Sequence, residues 1–133
     1  MDLGIAGRRA IVCASSKGLG RGCAEALARE GVDVVVNGRS EAEVMATTAA
    51  IRKASRVTVT PVVADVTTPA GRDALLRACP EPDILITNAG GPPPGDFRSL
   101  DEDDWLAGMM PNMVAPIMLI KATVDGMAAR RFG

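Results

Sequence analysis

Four short runs rich in β-branched residues, each followed by a longer stretch of helical period, constrain this chain more than any other feature. The runs are RRAIVCAS, VDVVVNGR, VTVTPVVA and PDILIT. Such alternation predicts consecutive βαβ units on one parallel sheet, an α/β fold of about four strands with flanking helices. The runs are nearly continuous in apolar residues, as expected of strands covered on both faces. Local signals delimit the helices. A first helix should run from about Gly18 to Glu30 and end at Gly31. Ser40 with Glu43 is spaced as a capping box for a second helix to about Ala54. Thr68 and Pro69 read as cap and first position of a short helix to about Cys79. A proline-rich loop, GGPPPGDF, precedes a long last helix to about Arg130. There Ser99 and Glu102 make another capping box, and Asp101, Asp103 and Asp104 crowd a first turn whose dipole favours negative charge.

Composition narrows the function classes. A length of 133 residues suits one domain, and 47% hydrophobic with 23% charged residues suits a globular one. The net charge is -1 and the 15 basic residues are scattered, so neither nucleic acid nor anionic lipid is an expected partner. Histidine is absent, which excludes His-dependent hydrolysis and common zinc chemistry from this segment, and no metal site is expected. Cys13, Cys23 and Cys79 fit neither a disulfide framework nor a metal pair and read as small buried apolar residues. No apolar run approaches the roughly 20 residues that span a bilayer, and the opening MDLGIAGRR lacks a signal peptide's apolar region, so a cytoplasmic protein without a membrane partner is expected.

The turn after the first run, ASSKGLGRG, would let backbone N–H groups at a helix N-terminus approach a pyrophosphate. Its spacing resembles the GxxxGxG turn of short-chain dehydrogenases, with Ala14 in the place of the first glycine. Ala14 can stand there if its φ is negative. The resemblance implies a Rossmann-type doubly wound sheet and assigns Ala14, Ser16, Lys17, Gly18, Leu19 and Gly20 to the cofactor. At the end of the second run, where NAD-binding folds place an acid for the ribose hydroxyls, stand Gly38 and Arg39. An arginine can form charge-assisted bonds to a 2′-phosphate, so the choice reads as NADP, with Lys17 resembling the second basic residue of NADP-preferring members. ADVT resembles the adenine-contacting segment, with Asp65 accepting from the adenine amino group and Val66 beside the ring. TNAGG resembles the family's NAG motif and adds Asn88, Ala89 and Gly90. Asn112, seven residues after Trp105, falls where the family carries its catalytic asparagine. Pro116, four residues on, has no N–H to give the Asn112 carbonyl, and Pro111 disturbs the same turn, so a kink should free that carbonyl for a water.

The function so implied is hydride transfer between NADP(H) and a small-molecule carbonyl or alcohol, with a general likeness to 3-oxoacyl-carrier-protein reductases. Met109, Met110, Met113, Met118 and Met127 read as adaptable packing, and the long final helix as a homo-oligomer face. The family keeps its catalytic serine, tyrosine and lysine in a second half, and this chain contains no tyrosine. The expectation is therefore an incomplete NADP-binding domain over residues 1–133, inactive alone. Two other readings stand beside it: a non-catalytic nucleotide-binding or interaction module ending at Gly133, and a Rossmann-type methyltransferase, which normally carries an acid where Gly38 and Arg39 stand.

Overall fold

Alternating strands and helices assemble as the pattern requires. The computed structural model describes residues 2–91 and 95–133; Pro92, Pro93 and Pro94 of the proline-rich loop lie outside them. Strand β1 (Arg9–Val12) leads to helix α1 (Gly18–Arg29), β2 (Asp33–Gly38) to α2 (Glu41–Ala54), and β3 (Val59–Val63) to α3 (Pro69–Ala78). After β4 (Ile84–Ile86) come a 3-10 turn (Phe97–Ser99) and one long helix in three segments: α4 (Glu102–Met109), a π-helical turn (Met110–Val114) and α5 (Ala115–Arg130). The sheet is parallel with strand order β3-β2-β1-β4, and Val12 lies between Val36 and Ile86.

Alternate residues of the central strands feed two cores. Ala10, Val12, Val34 and Val36 pack with Ala24, Ala28, Val44 and Ile51 on one side. Ile11, Cys13, Val35 and Val62 pack with Leu75, Cys79 and Leu119 on the other. This two-sided burial explains the unbroken apolar runs of β1 and β2, and each fully buried valine or leucine contributes about 1.5–3 kcal/mol. Pro61 sits within β3, which pairs only with β2, so its missing N–H removes no bond on the inner side. Burial pushes the Cys13 thiol up to about 12 and raises that of Cys79, so both behave as core residues.

Gly31 ends α1 with φ +82°, and Thr68 caps α3 by accepting from the Gly71 N–H at 3.0 Å, as their positions predict. Other expectations need correction. Ser40 accepts from the Glu43 N–H at 3.4 Å, but the Glu43 carboxylate turns away to Lys17 and the box closes on one side only. The last helix is boxed by Asp101 and Asp104, not by Ser99 and Glu102. Ser99 belongs to the preceding 3-10 turn, where its hydroxyl donates to the Asp96 carbonyl at 2.7 Å. Met109, Met110, Met113 and Met118 are 39–49% exposed and so are only partly packed within this chain. No uninterrupted apolar run approaches roughly 20 residues, but averaged over a helix the chain does reach the length and hydropathy of a span. Helix Glu102–Arg130 has 29 residues and a mean hydropathy of 1.2 over its most apolar 18-residue window, enough by length and composition. Its apolar residues are interrupted by Asn112, Lys121, Thr123 and Asp125, so they never form one uninterrupted run. Only Ala115, Leu119 and Thr123 of α5, at i, i+4 and i+8, are fully buried.

The N-terminal end of the sheet is closed by a charged knot. Asp83, 4% exposed, accepts from the Arg9 N–H at 2.9 Å and donates its own N–H to the Arg9 carbonyl at 2.8 Å. The guanidinium groups of Arg8, Arg9 and Arg130 approach its carboxylate to 3.8, 3.7 and 3.5 Å. Arg130 also donates to the Pro82 carbonyl at 2.7 Å, which ties the end of α5 to the start of β4.

Candidate functional site

At the opposite end, the C-terminal ends of the strands open onto a cleft of about 750 Å³. Parallel strands end there in loops that must diverge to reach helices on opposite faces, which leaves a crevice between them. The cleft is walled by the turn after β1, the end of β2, the segments after β3 and β4, and Ala107, Met110 and Pro111 of the long helix.

The turn after β1 is held by side chains from two other strands. Ala14 has φ +45°, against the negative value its side chain would favour. It is fixed there because its N–H donates to Asn37 Oδ1 and its carbonyl accepts from Asn88 Nδ2, each at 3.1 Å. Ser15 is buried, with its N–H on the Asn37 carbonyl at 2.7 Å and its hydroxyl on the Val12 carbonyl at 2.6 Å. A Cβ at Gly20 would collide with the Ala14 carbonyl oxygen, so this glycine is required for close packing of α1 and does not line the cleft. A Cβ at Gly38 would stand 2.7 Å from Ser16 Oγ, so that position too is closed to a side chain. Lys17 precedes α1 in extended conformation and offers no side-chain cap, and the first turn carries no acid. The amides of that turn thus stay free for an anion.

The remaining walls follow. Lys17 Nζ bonds Glu43 Oε1 at 3.1 Å at the mouth of the cleft, with Arg39 exposed beside them. Asp65 Oδ1 accepts from the Thr67 hydroxyl at 2.7 Å and the Thr67 N–H at 2.9 Å. Those bonds hold the Asp65 carboxyl below its ordinary range, with a smaller contribution from the Arg39 charge. Gly71 lets α3 approach, since a Cβ there would overlap the Asp65 carbonyl oxygen.

A family model described as short chain dehydrogenase matches residues 8–133. The chain belongs to this family. It is 30% identical to the uncharacterized oxidoreductase YvaG of Bacillus subtilis, over all of this chain and 51% of that protein. It is 28% identical to the 3-oxoacyl-[acyl-carrier-protein] reductase FabG of Vibrio cholerae, over 98% of this chain and 54% of that protein. The structure superposes on the L-sorbose reductase of Gluconobacter frateurii, solved with NADPH and L-sorbose, with a TM-score of 0.90 and 30% identity, covering 98% of this chain and 51% of that one. The chain thus spans about half the length of the relatives it matches. Membership in a family of dehydrogenases decides against the methyltransferase reading.

Within this short-chain dehydrogenase framework the cleft brings together Ala14, Ser16, Lys17, Gly18, Leu19, Arg39, Asp65, Val66, Asn88, Ala89 and Gly90. Gly20 stands behind that lining, and Asn112 is outside it. Asn112 is exposed in the π-helical turn, with Nδ2 on the Gly108 carbonyl at 2.9 Å. The turn arises because Pro111 and Pro116 have no N–H for the carbonyls of Ala107 and Asn112, and the helix widens to bonds such as Ala115 N–H to the Met110 carbonyl. The bulge therefore lies where the two prolines place it.

Asn37 was not singled out from sequence, yet it organises the cleft. At 1% exposure, its amide accepts from Ala14 N–H on one side and donates to the Val62 and Ala64 carbonyls at 3.1 and 3.0 Å on the other. One side chain thereby links the turn after β1 to the segment after β3. The available signal was a lone amide in an apolar strand, which burial obliges to find partners. Thr47 was also unremarked: its buried hydroxyl donates to the Ser16 carbonyl at 2.7 Å and pins α2 to the same turn.

Proposed function

We propose that this chain is the NADP(H)-binding portion of an oxidoreductase acting on a small carbonyl or alcohol. The observation that carries the reading is the mouth of the cleft, where Arg39 stands, Lys17 is shared with Glu43, and the end of β2 itself carries no acid. A ribose diol needs an acceptor there, whereas a 2′-phosphate needs cations. The other walls fit the rest of a dinucleotide. The uncapped first turn of α1 would take the pyrophosphate on backbone N–H groups. The second oxygen of Asp65 would accept from the adenine amino group, with Val66 beside the ring. Asn88, Ala89 and Gly90 would border the nicotinamide side. The bound nicotinamide supplies or receives the hydride. Asn112 acts, in this reading, as a positioning residue whose carbonyl, denied a donor by Pro116, holds a water on the proton path. No tyrosine is present to exchange a proton with the substrate oxygen, so residues 1–133 alone should bind cofactor without turning over. The exposed helix face from Trp105 to Val124 would meet a second copy.

Titration calorimetry with NADPH and NADH tests the reading. The unmodified protein should bind NADPH at least roughly tenfold more tightly, since a charge-assisted bond contributes about 1.5–3 kcal/mol, and Arg39→Asp should reverse the order. Equal affinities before mutation would refute it. The missing tyrosine also favours a second reading, a nucleotide-binding module without catalysis. Carbonyl-dependent NADPH oxidation by residues 1–133 would eliminate that one and would also overturn the expected inactivity of this chain alone.

A further inference from the structure

Glu43 lies one turn before Thr47 on the face of α2 that meets the turn after β1. The buried bond from Thr47 to the Ser16 carbonyl, 2.7 Å long, keeps that face in place, so the first turn of α2 cannot swing away from the cleft. Glu43 is thereby held against Lys17, carboxylate to ammonium at 3.1 Å, and both line the mouth together with Arg39. The helix has no need of Glu43 for a reciprocal cap, because Ser40 alone accepts its N–H. The carboxylate is a second anion of the cleft in addition to Asp65, set directly against one of its two cations.

We propose that Glu43 is a specificity-determining residue that weakens the hold of this mouth on a 2′-phosphate and so limits the preference for NADP(H) over NAD(H). The proposal rests on the cofactor reading above. Lys17, Arg39 and Glu43 together carry a formal charge of two cations less one anion, and an incoming 2′-phosphate brings about -1.5 to -2 at neutral pH. That phosphate must draw Lys17 away from a partner already in hydrogen-bond range and must tolerate the carboxylate beside it. NAD(H) presents a neutral hydroxyl at the same place, which can donate to a carboxylate and meets no repulsion. The penalty therefore falls on the phosphorylated cofactor. The 3.1 Å separation of Lys17 and Glu43 is far inside a Debye length of about 8 Å, so physiological salt attenuates the competition without removing it.

Calorimetry with NADPH and NADH on the unmodified protein, Glu43→Gln and Glu43→Lys, at two ionic strengths, decides the matter. Glu43→Gln should tighten NADPH roughly one-and-a-half- to fivefold, the span of an exposed charge interaction, and Glu43→Lys further, with little change for NADH. The NADPH affinities of both variants should also fall more steeply with salt. The Glu43 side chain is 43% exposed, so unchanged melting temperatures are expected and serve as the folding control. If the unmodified protein prefers NADPH but Glu43→Gln matches it or binds NADPH more weakly, the proposal is overturned while the cofactor reading stands. A weaker variant would make Glu43 an aid that orients Lys17. An unmodified protein without preference for NADPH overturns the cofactor reading and this proposal together.

Discussion

The two ends of this sheet treat buried polar groups in opposite ways. At the N-terminal end Asp83 is enclosed by its own backbone partner and three guanidinium groups, and Arg130 draws the last helix onto the same point. At the C-terminal end Asn37, Asn88 and Thr47 spend their hydrogen bonds on tying the turn after β1 to the neighbouring loops and to α2. What those loops leave between them is an uncapped helix terminus and an alanine at φ +45°. The left-handed alanine is an unfavourable local conformation that persists because two amide side chains from other strands fix it. One end thus closes the fold, and the other leaves a space lined by backbone donors, two cations and two carboxylates. Mutations should separate the two: changes at the closed end should alter stability alone, and changes beneath the cleft should alter stability and binding together.

Asp83→Ala should have the largest effect on stability. It removes the shared partner of three cations and leaves the Arg9 N–H without its side-chain acceptor, a loss of about 3 kcal/mol, moderated because the three arginine side chains are themselves 25–42% exposed. Urea unfolding measures the loss, and NADPH affinity under folded conditions should stay within about twofold. An affinity that falls in step with stability would erase the distinction between the ends.

Asn37→Ala should come next, at about 2 kcal/mol, because it strands the Ala14 N–H and the carbonyls of Val62 and Ala64. Here binding should suffer as well, by roughly tenfold or more, since Ala14 loses the bond that holds its φ. Asn37→Asp sharpens the point. It retains the acceptor for Ala14 but sets a carboxylate against two carbonyls, so NADPH binding should recover partly as acid protonates it. An Asn37→Ala protein of reduced stability but undiminished affinity would show that the turn after β1 keeps its shape without this residue.

The same contrast governs what could be read from sequence. Features set by residues close in the chain were legible: the strand–helix alternation, Thr68 with Pro69 at the start of α3, Gly31 after α1, and the disturbance caused by Pro111 and Pro116. The residues around the cleft were legible through their motifs, whereas their supports were not. Ala14 takes a positive φ because Asn37 and Asn88 reach it from 23 and 74 residues away, and no local preference reveals that. Asp83 meets Arg9 across 74 residues, and PDILIT shows it only as a charge at a strand edge. Ser99 and Glu102 have the spacing of a capping box, but Asp101 and Asp104 have it too, and the 3-10 turn that engages Ser99 decides between them. Glu43 satisfied a local rule on paper and a cross-loop charge in the folded chain.

The smallest effect concerns pH, and it sits on the rim of the cleft. Bonds from the Thr67 hydroxyl and N–H hold the folded Asp65 carboxyl below its ordinary value of 3.8, with Arg39 adding a lesser pull. A carboxyl with a depressed folded value contributes stability that is fully present above the unfolded value and is lost as pH falls through the folded one. Within that window the unfolded chain binds more protons than the folded one, so stability should rise with pH from the most acidic side up to about pH 4 and then level. Water reaches this group, which keeps the slope shallow. Asp65→Asn should flatten it, and Thr67→Ala should flatten most of it by removing the stronger of the two bonds while sparing the backbone donor. Urea midpoints of the three proteins across that range measure the slopes. A Thr67→Ala protein as steep as the unmodified one would assign the acid sensitivity to the other carboxylates, and the rim of the cleft would then owe its order to Gly71 and the close approach of α3 more than to the charge on Asp65.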